Sequence, residues 1–128
     1  IVNQGLPFYG GCVTYRFGVD CPGGDIRLTV PHYDGALTEI FVDGVHAGEI
    51  IFPPYELELK ELSAGRHEIE VKLYTNRRNA FGTVHLYDKK CHCIGPDAWR
   101  TSGCQWSYEY VLRNVGVESA PVIYSLKK

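Results

Sequence analysis

From Tyr55 to Tyr74 the chain alternates, and that alternation restricts the fold more than any other feature. Leu57 and Leu59 stand against Glu56, Glu58 and Lys60, and Ile69, Val71 and Leu73 against Glu68, Glu70 and Lys72. Strand side chains point to opposite faces with a period of two, so each run has one dry face and one wet face. A polar turn at Ser63-Ala64-Gly65 separates them, and Pro53-Pro54 bars any central ladder just upstream. Earlier still, an apolar run ends at Val42, meets Asp43-Gly44 and resumes at Val45. An Asp-Gly pair between β-rich runs predicts a two-residue type I′ hairpin, whose central positions need φ > 0. Successive strands with one wet face each predict an antiparallel sandwich.

The remaining runs extend this pattern. Val13, Tyr15, Phe17 and Val19 form one inward face, and Ile26, Leu28 and Val30 the next. Leu37 to Val42 is apolar nearly throughout, which predicts a central strand covered on both faces. Val84 and Leu86 predict a short strand with His85 opposite, and Trp106, Tyr108, Tyr110 and Leu112 one face of a closing strand. Val115, Val117, Val122 and Ile123 predict a last edge segment around Pro121. No segment has a helical period. The expectation is a single all-β domain over residues 1–128, with roughly eight or nine strands. A chain of 128 residues buries roughly two-thirds of its unfolded surface, enough for a core without staples.

Composition excludes several classes. A net charge of −2 leaves no electrostatic footprint for nucleic acid. No apolar run approaches the ~18 residues of a membrane-spanning helix. The chain contains no Met, even at position 1, so it is expected to be a segment excised or processed from a longer protein. Five Cys cannot all pair within one chain, and their scattered spacing is unlike a disulfide framework. No structural disulfide and a reducing, cytoplasmic location are the expectations.

Several side chains could carry chemistry, and each also has an ordinary structural role. Cys91-His92-Cys93 with Cys104 offers zinc-type ligands, but a single residue between Cys91 and Cys93 is shorter than the usual two to four. No metal is expected. Glu56 with Glu58 and Glu68 with Glu70 share faces, as glycoside hydrolysis would need two carboxyl groups about 5–9 Å apart. Those faces are the wet ones, so a solvated β surface is the simpler reading. No nucleophile elbow, phosphate-cradling loop or dinucleotide fingerprint occurs. The expectation is no catalytic residue and no cofactor.

Loops hold the binding candidates. Asp88 to Gly103 is the longest stretch without periodicity, and loops of that length are usually functional or disordered. Within it Trp99 has no periodic reason to be buried and offers a stacking platform, with Arg100 beside it. Asn76, Arg77 and Asn79, next to Phe81, carry planar donors suited to hydroxyl groups, although Asn is also a turn residue. Tyr9 and Tyr33, in the loops around Leu6–Gly11 and Pro31–Gly35, are weaker candidates of the same kind.

Val42, Asp43, Gly44 and Gly48, followed by Leu62, Gly65, His67, Ile69 and Val71, also carry a resemblance. The pattern resembles the galactose-binding-like jelly-roll domains attached to glycoside hydrolases, such as the family-two β-galactosidase and β-glucuronidase group and rhamnosidase-like enzymes. Leu6 to Gly11 and Asn76 to His85 resemble pieces of such accessory domains. The resemblance implies a jelly-roll β-sandwich serving as a non-catalytic module of a bacterial glycoside hydrolase. Such a module would bind carbohydrate at its loop edge or pack on the catalytic domain of the same parent chain. The alternative is an independent lectin or small enzyme with its site in the 88–103 loop.

Overall fold

A computed structural model describes residues 1–87 and 95–126, and the statements that follow concern those residues. The chain forms β1 (Cys12–Cys21), β2 (Gly24–Thr29), β3 (Tyr33–Asp34), β4 (Leu37–Val42) and β5 (Val45–Ile50). β6 (Glu56–Leu62), β7 (Gly65–Tyr74), a four-residue helix α1 (Arg78–Phe81), β8 (Gly116–Val117) and β9 (Val122–Ser125) follow. One sheet runs β1-β7-β4-β5, a second β6-β2-β9, and β3 pairs with β8 alone. All these pairings are antiparallel. The expected antiparallel β-sandwich is therefore the fold.

The alternation places the core. β7 lies between β1 and β4, so Val71 sits opposite Tyr15 on one side and Ile40 on the other. Ile40, Ile69 and Val71 from the four-stranded sheet join Ile26, Leu28 and Leu59 from the other, all at most 5% exposed. Each buried aliphatic side chain contributes roughly 1.5–3 kcal/mol relative to exposure. On the wet faces, Glu56, Glu58 and Glu70 are held by cross-strand arginines. Arg27 reaches Glu58 at 2.9 Å and Glu56 at 3.4 Å, and Arg16 reaches Glu70 at 3.2 Å.

β4 is central, as its sequence predicted, but only one of its faces is buried. Thr38 and Ile40 are at 0% exposure, whereas Leu37, Glu39 and Phe41 are half-exposed. Glu39 makes that outer face polar by accepting from Lys72 Nζ at 3.1 Å and Tyr74 Oη at 2.9 Å.

Asp43 and Gly44 have φ of 50° and 79°, the left-handed pair that a type I′ turn requires. The Asp43 carboxylate also leaves its own hairpin. Its Oδ1 accepts from the Glu68 amide at 2.8 Å, and its Oδ2 lies 2.6 Å from His67 Nδ1. The other ring nitrogen of His67 faces the Ser63 carbonyl oxygen at 3.0 Å. The carboxylate and the carbonyl can only accept, which favours the protonated ring, while the Ser63 hydroxyl, 3.3 Å from the same nitrogen, can donate to the neutral one. The Asp and His of the sequence pattern thus tie the β4–β5 turn to the β6–β7 turn.

This tie has a pH signature. The hydrogen bond to Asp43 raises the His67 pKa above 6.5, and the same bond lowers that of Asp43 below 3.8. A raised histidine stabilises the fold fully below about pH 6.5 and loses that contribution as pH climbs through its folded value. A depressed carboxylate contributes above about pH 3.8 and loses it as pH falls through its folded value. Melting curves of wild type and His67→Gln should therefore lie furthest apart between about pH 4 and 6.5 and converge on both sides. A separation independent of pH would refute the ion pair.

Two expected strands are absent. Val84 to Leu86 is a turn, and residues 106–112 contribute one isolated bridge, Leu86 to Trp106. Tyr108 and Tyr110 are 89% and 59% exposed rather than inward-facing. The aromatic alternation was real, but the interior was already filled by aliphatic side chains from seven longer strands. Tyr33 lies on β3 rather than in a loop.

Candidate functional site

Residues 6–11, 76–86 and 99–113 converge at one end of the sandwich. Backbone and side-chain bonds join the first two: the Thr75 amide and hydroxyl both donate to the Gly11 carbonyl, at 3.1 and 2.7 Å. Tyr9 folds back over Gly11 and donates to the Cys12 carbonyl at 3.0 Å. A Cβ at Gly11 would stand 2.5 Å from the tyrosine oxygen, so any other residue there would displace the ring from this position. Arg77 packs its side-chain stem beside Gly10.

Both asparagines of the 76–82 segment are anchored. Asn76 donates from Nδ2 to Asp34 Oδ1 at 2.7 Å and accepts the Arg78 amide at 3.1 Å. Asp34 is partly desolvated and its pKa is raised above 3.8 by that burial, with Glu118 adding to it and Asn76 opposing it. Asn79, 4% exposed, pairs with the Arg113 backbone in both directions, at 2.8 Å to the carbonyl and 3.0 Å from the amide. It mimics a strand partner. Phe81, at the end of α1, is 72% exposed.

Above α1 the chain closes a short ladder of its own. Tyr87 donates to the Gln105 carbonyl, Ser107 to that of His85, and Val111 to that of Val84. His85 is thereby set among aromatic rings. Its centroid is 5.7 Å from Trp106 with the planes 28° apart, and 4.9 Å from Tyr110. Trp106 meets Tyr108 edge-on at 4.2 Å, and Tyr110 meets Phe8 edge-on at 5.0 Å. Two adjoining hollows open beside this cluster, with His85, Ala98, Arg100 and Trp106 on the walls of both.

Of the residues singled out by sequence, Trp99 and Arg100 line this cleft, and Trp99 is 56% exposed. Tyr9, Asn76, Arg77, Asn79 and Phe81 belong to the same end of the molecule. Tyr33 is directed elsewhere: its hydroxyl donates to the Ile50 carbonyl at 3.0 Å, and its ring packs on Tyr55 at 5.2 Å. Cys91, His92 and Cys93 lie outside the described residues, while Cys12, Cys21 and Cys104 are free thiols. Sequence reasoning assigned Trp106, Tyr108 and Tyr110 to a core face and passed over His85 and Phe8. Ser107 and Glu109 between the rings fit a wet surface as well as a half-buried strand, so the alternation alone did not decide.

Sheets of this order with such a loop end define a β-sandwich domain with an aromatic rim. Solved structures share the architecture. A rhamnosidase from Novosphingobium sp. PP1Y matches over 91% of this chain with a TM-score of 0.61 and 19% identity. A GH2 β-galacturonidase from Eisenbergiella tayi, in a complex with galacturonate, matches over 93% with a TM-score of 0.55 and 20% identity. The chain spans only 11% and 18% of the lengths of those two proteins. No family model and no curated protein matches the chain by sequence. The fold thus resembles one domain within large glycoside hydrolases.

Proposed function

We propose that the chain is a non-catalytic accessory domain of a glycoside hydrolase and engages carbohydrate through its loop end. The carrying observation is that nearly the whole chain superposes on about a tenth to a fifth of such enzymes. The carboxylate pairs support the non-catalytic part, since Glu56, Glu58 and Glu70 are held by arginines across strands rather than facing one another over a cleft. Exposed Trp99, Phe81 and Tyr108 support the carbohydrate part, because aromatic faces stack on the C–H surface of sugar rings. Arg100, Arg77 and Tyr9 would orient hydroxyl groups around them. Free thiols at Cys12, Cys21 and Cys104 suit a reducing compartment, so cytoplasmic residence belongs to this reading. Among the described residues no helix is long and apolar enough to cross a membrane.

A second reading has its own support. Phe8 and Tyr110, in edge-on contact and both exposed, form an apolar rim, which fits packing against a catalytic domain of the same parent chain. A glycan array and a panel of aryl glycosides separate these readings. The purified chain should hydrolyse none of the glycosides and should retain at least one glycan. Turnover abolished by a single carboxylate substitution would make it an enzyme, and a blank array would favour the packing role.

A further inference from the structure

We infer that the cleft between His85, Trp99 and Trp106 holds a single pyranose unit, an assignment that rests on the carbohydrate-engaging reading of the loop end. The two hollows have volumes of about 230 and 140 Å³. Together they lie at the low end of the roughly 300–1,000 Å³ typical of small-molecule pockets. One ring fits such a space, with the rest of a glycan left outside.

The walls divide as a pyranose does. Val84, Trp99 and Trp106 give the smaller hollow apolar surface, while Ser102 and Gln105 border the larger one. A sugar ring likewise has C–H faces that stack on aromatic rings and a rim of hydroxyls that needs polar partners. His85 joins the two. Its Nδ1 lies 2.9 Å from the Ser107 carbonyl oxygen, which can only accept, so Nδ1 donates. In the neutral ring Nε2 is then the acceptor, and its lone pair is available to a sugar hydroxyl. Trp106 and Tyr110 clamp the imidazole from its sides, which fixes the direction of that acceptor before any ligand arrives. Thr83, 6% exposed on the wall of the smaller hollow, carries a hydroxyl with no hydrogen-bond partner among the described residues. Under 1 Å² of that oxygen is accessible, so it stands behind the wall and out of a ligand's reach.

The chain has two tryptophans, and both line this cleft, so intrinsic fluorescence reports on the site itself. Titration with methyl glycosides of neutral hexoses, 6-deoxyhexoses and hexuronic acids should give a saturable change for at least one class. His85→Asn keeps a donor near the Ser107 carbonyl but lacks Nε2, and should weaken binding of that sugar roughly three- to tenfold, the worth of one neutral hydrogen bond. Trp99→Ala should weaken it further, with the melting transition unchanged. A flat titration with all three classes overturns the inference. Binding that both variants leave intact also overturns it, and with a positive glycan array that result leaves the carbohydrate reading standing with its site elsewhere. A blank array with a flat titration removes both. Should His85→Asn fail to fold, the wild-type imidazole signal decides: an Nε2 resonance unmoved by a sugar that binds rejects the site.

Discussion

Ile69→Ala is expected to destabilise the domain by about 2–5 kcal/mol, the range for aliphatic truncations in a core that cannot collapse. Ile69 is at 0% exposure on β7, opposite Phe17 on β1 and Val42 on β4. Strands on both sides fix its backbone, and side chains of the second sheet cover it, so the cavity cannot close without breaking two ladders. For a domain of this size the loss corresponds to a melting temperature lower by roughly 10 °C or more. Ile69→Val removes one methylene and should cost about 0.5–1.5 kcal/mol. Urea unfolding of the three proteins should show falling midpoints with a common slope. A cost below about 1 kcal/mol for the alanine variant would mean that the two sheets do not pack as described.

Asn79→Ala should produce the second-largest loss, about 1–3 kcal/mol, although it removes no apolar surface of the main core. The amide is buried and satisfies both the carbonyl and the amide of Arg113. Alanine leaves two backbone groups without their partner, and it unpins α1 from the segment that follows Tyr110. Asn79→Asp is the sharper variant. It preserves an acceptor for the Arg113 amide, turns the donor into a second acceptor facing a carbonyl, and introduces charge into a buried position. It should be at least as destabilising as alanine near neutral pH and should recover in part as pH falls and the carboxyl protonates. The fluorescence of Trp106, which the same segment carries, should shift in both variants. An Asn79→Ala protein that melts like wild type would show that α1 is held by other contacts.

The roles of Asn76 and Asn79 show how far local sequence could be read. That amide groups in the 76–82 segment had a task was legible, because Asn beside Arg in a strand connection is unusual. Which task was not, since the partners are Asp34 and Arg113, about forty residues before and over thirty after. A side chain that donates to a backbone so far along the chain leaves no periodic trace.

The longer aliphatic strands and the Asp43-Gly44 turn were written in the sequence by itself. The reason is physical: period-two alternation and positive-φ tolerance are properties of a few consecutive residues, and burial of one face leaves no freedom of register. The tertiary structure alone decided which strands are neighbours, which carboxylates meet arginine, and that His67 meets Asp43. It also decided the fate of Trp106, Tyr108 and Tyr110. Aromatic residues are apolar enough for a core and amphipathic enough for a rim, so their alternation is compatible with either. The aliphatic strands closed the interior without them, and that left the rings on the surface around His85, where they define the cleft.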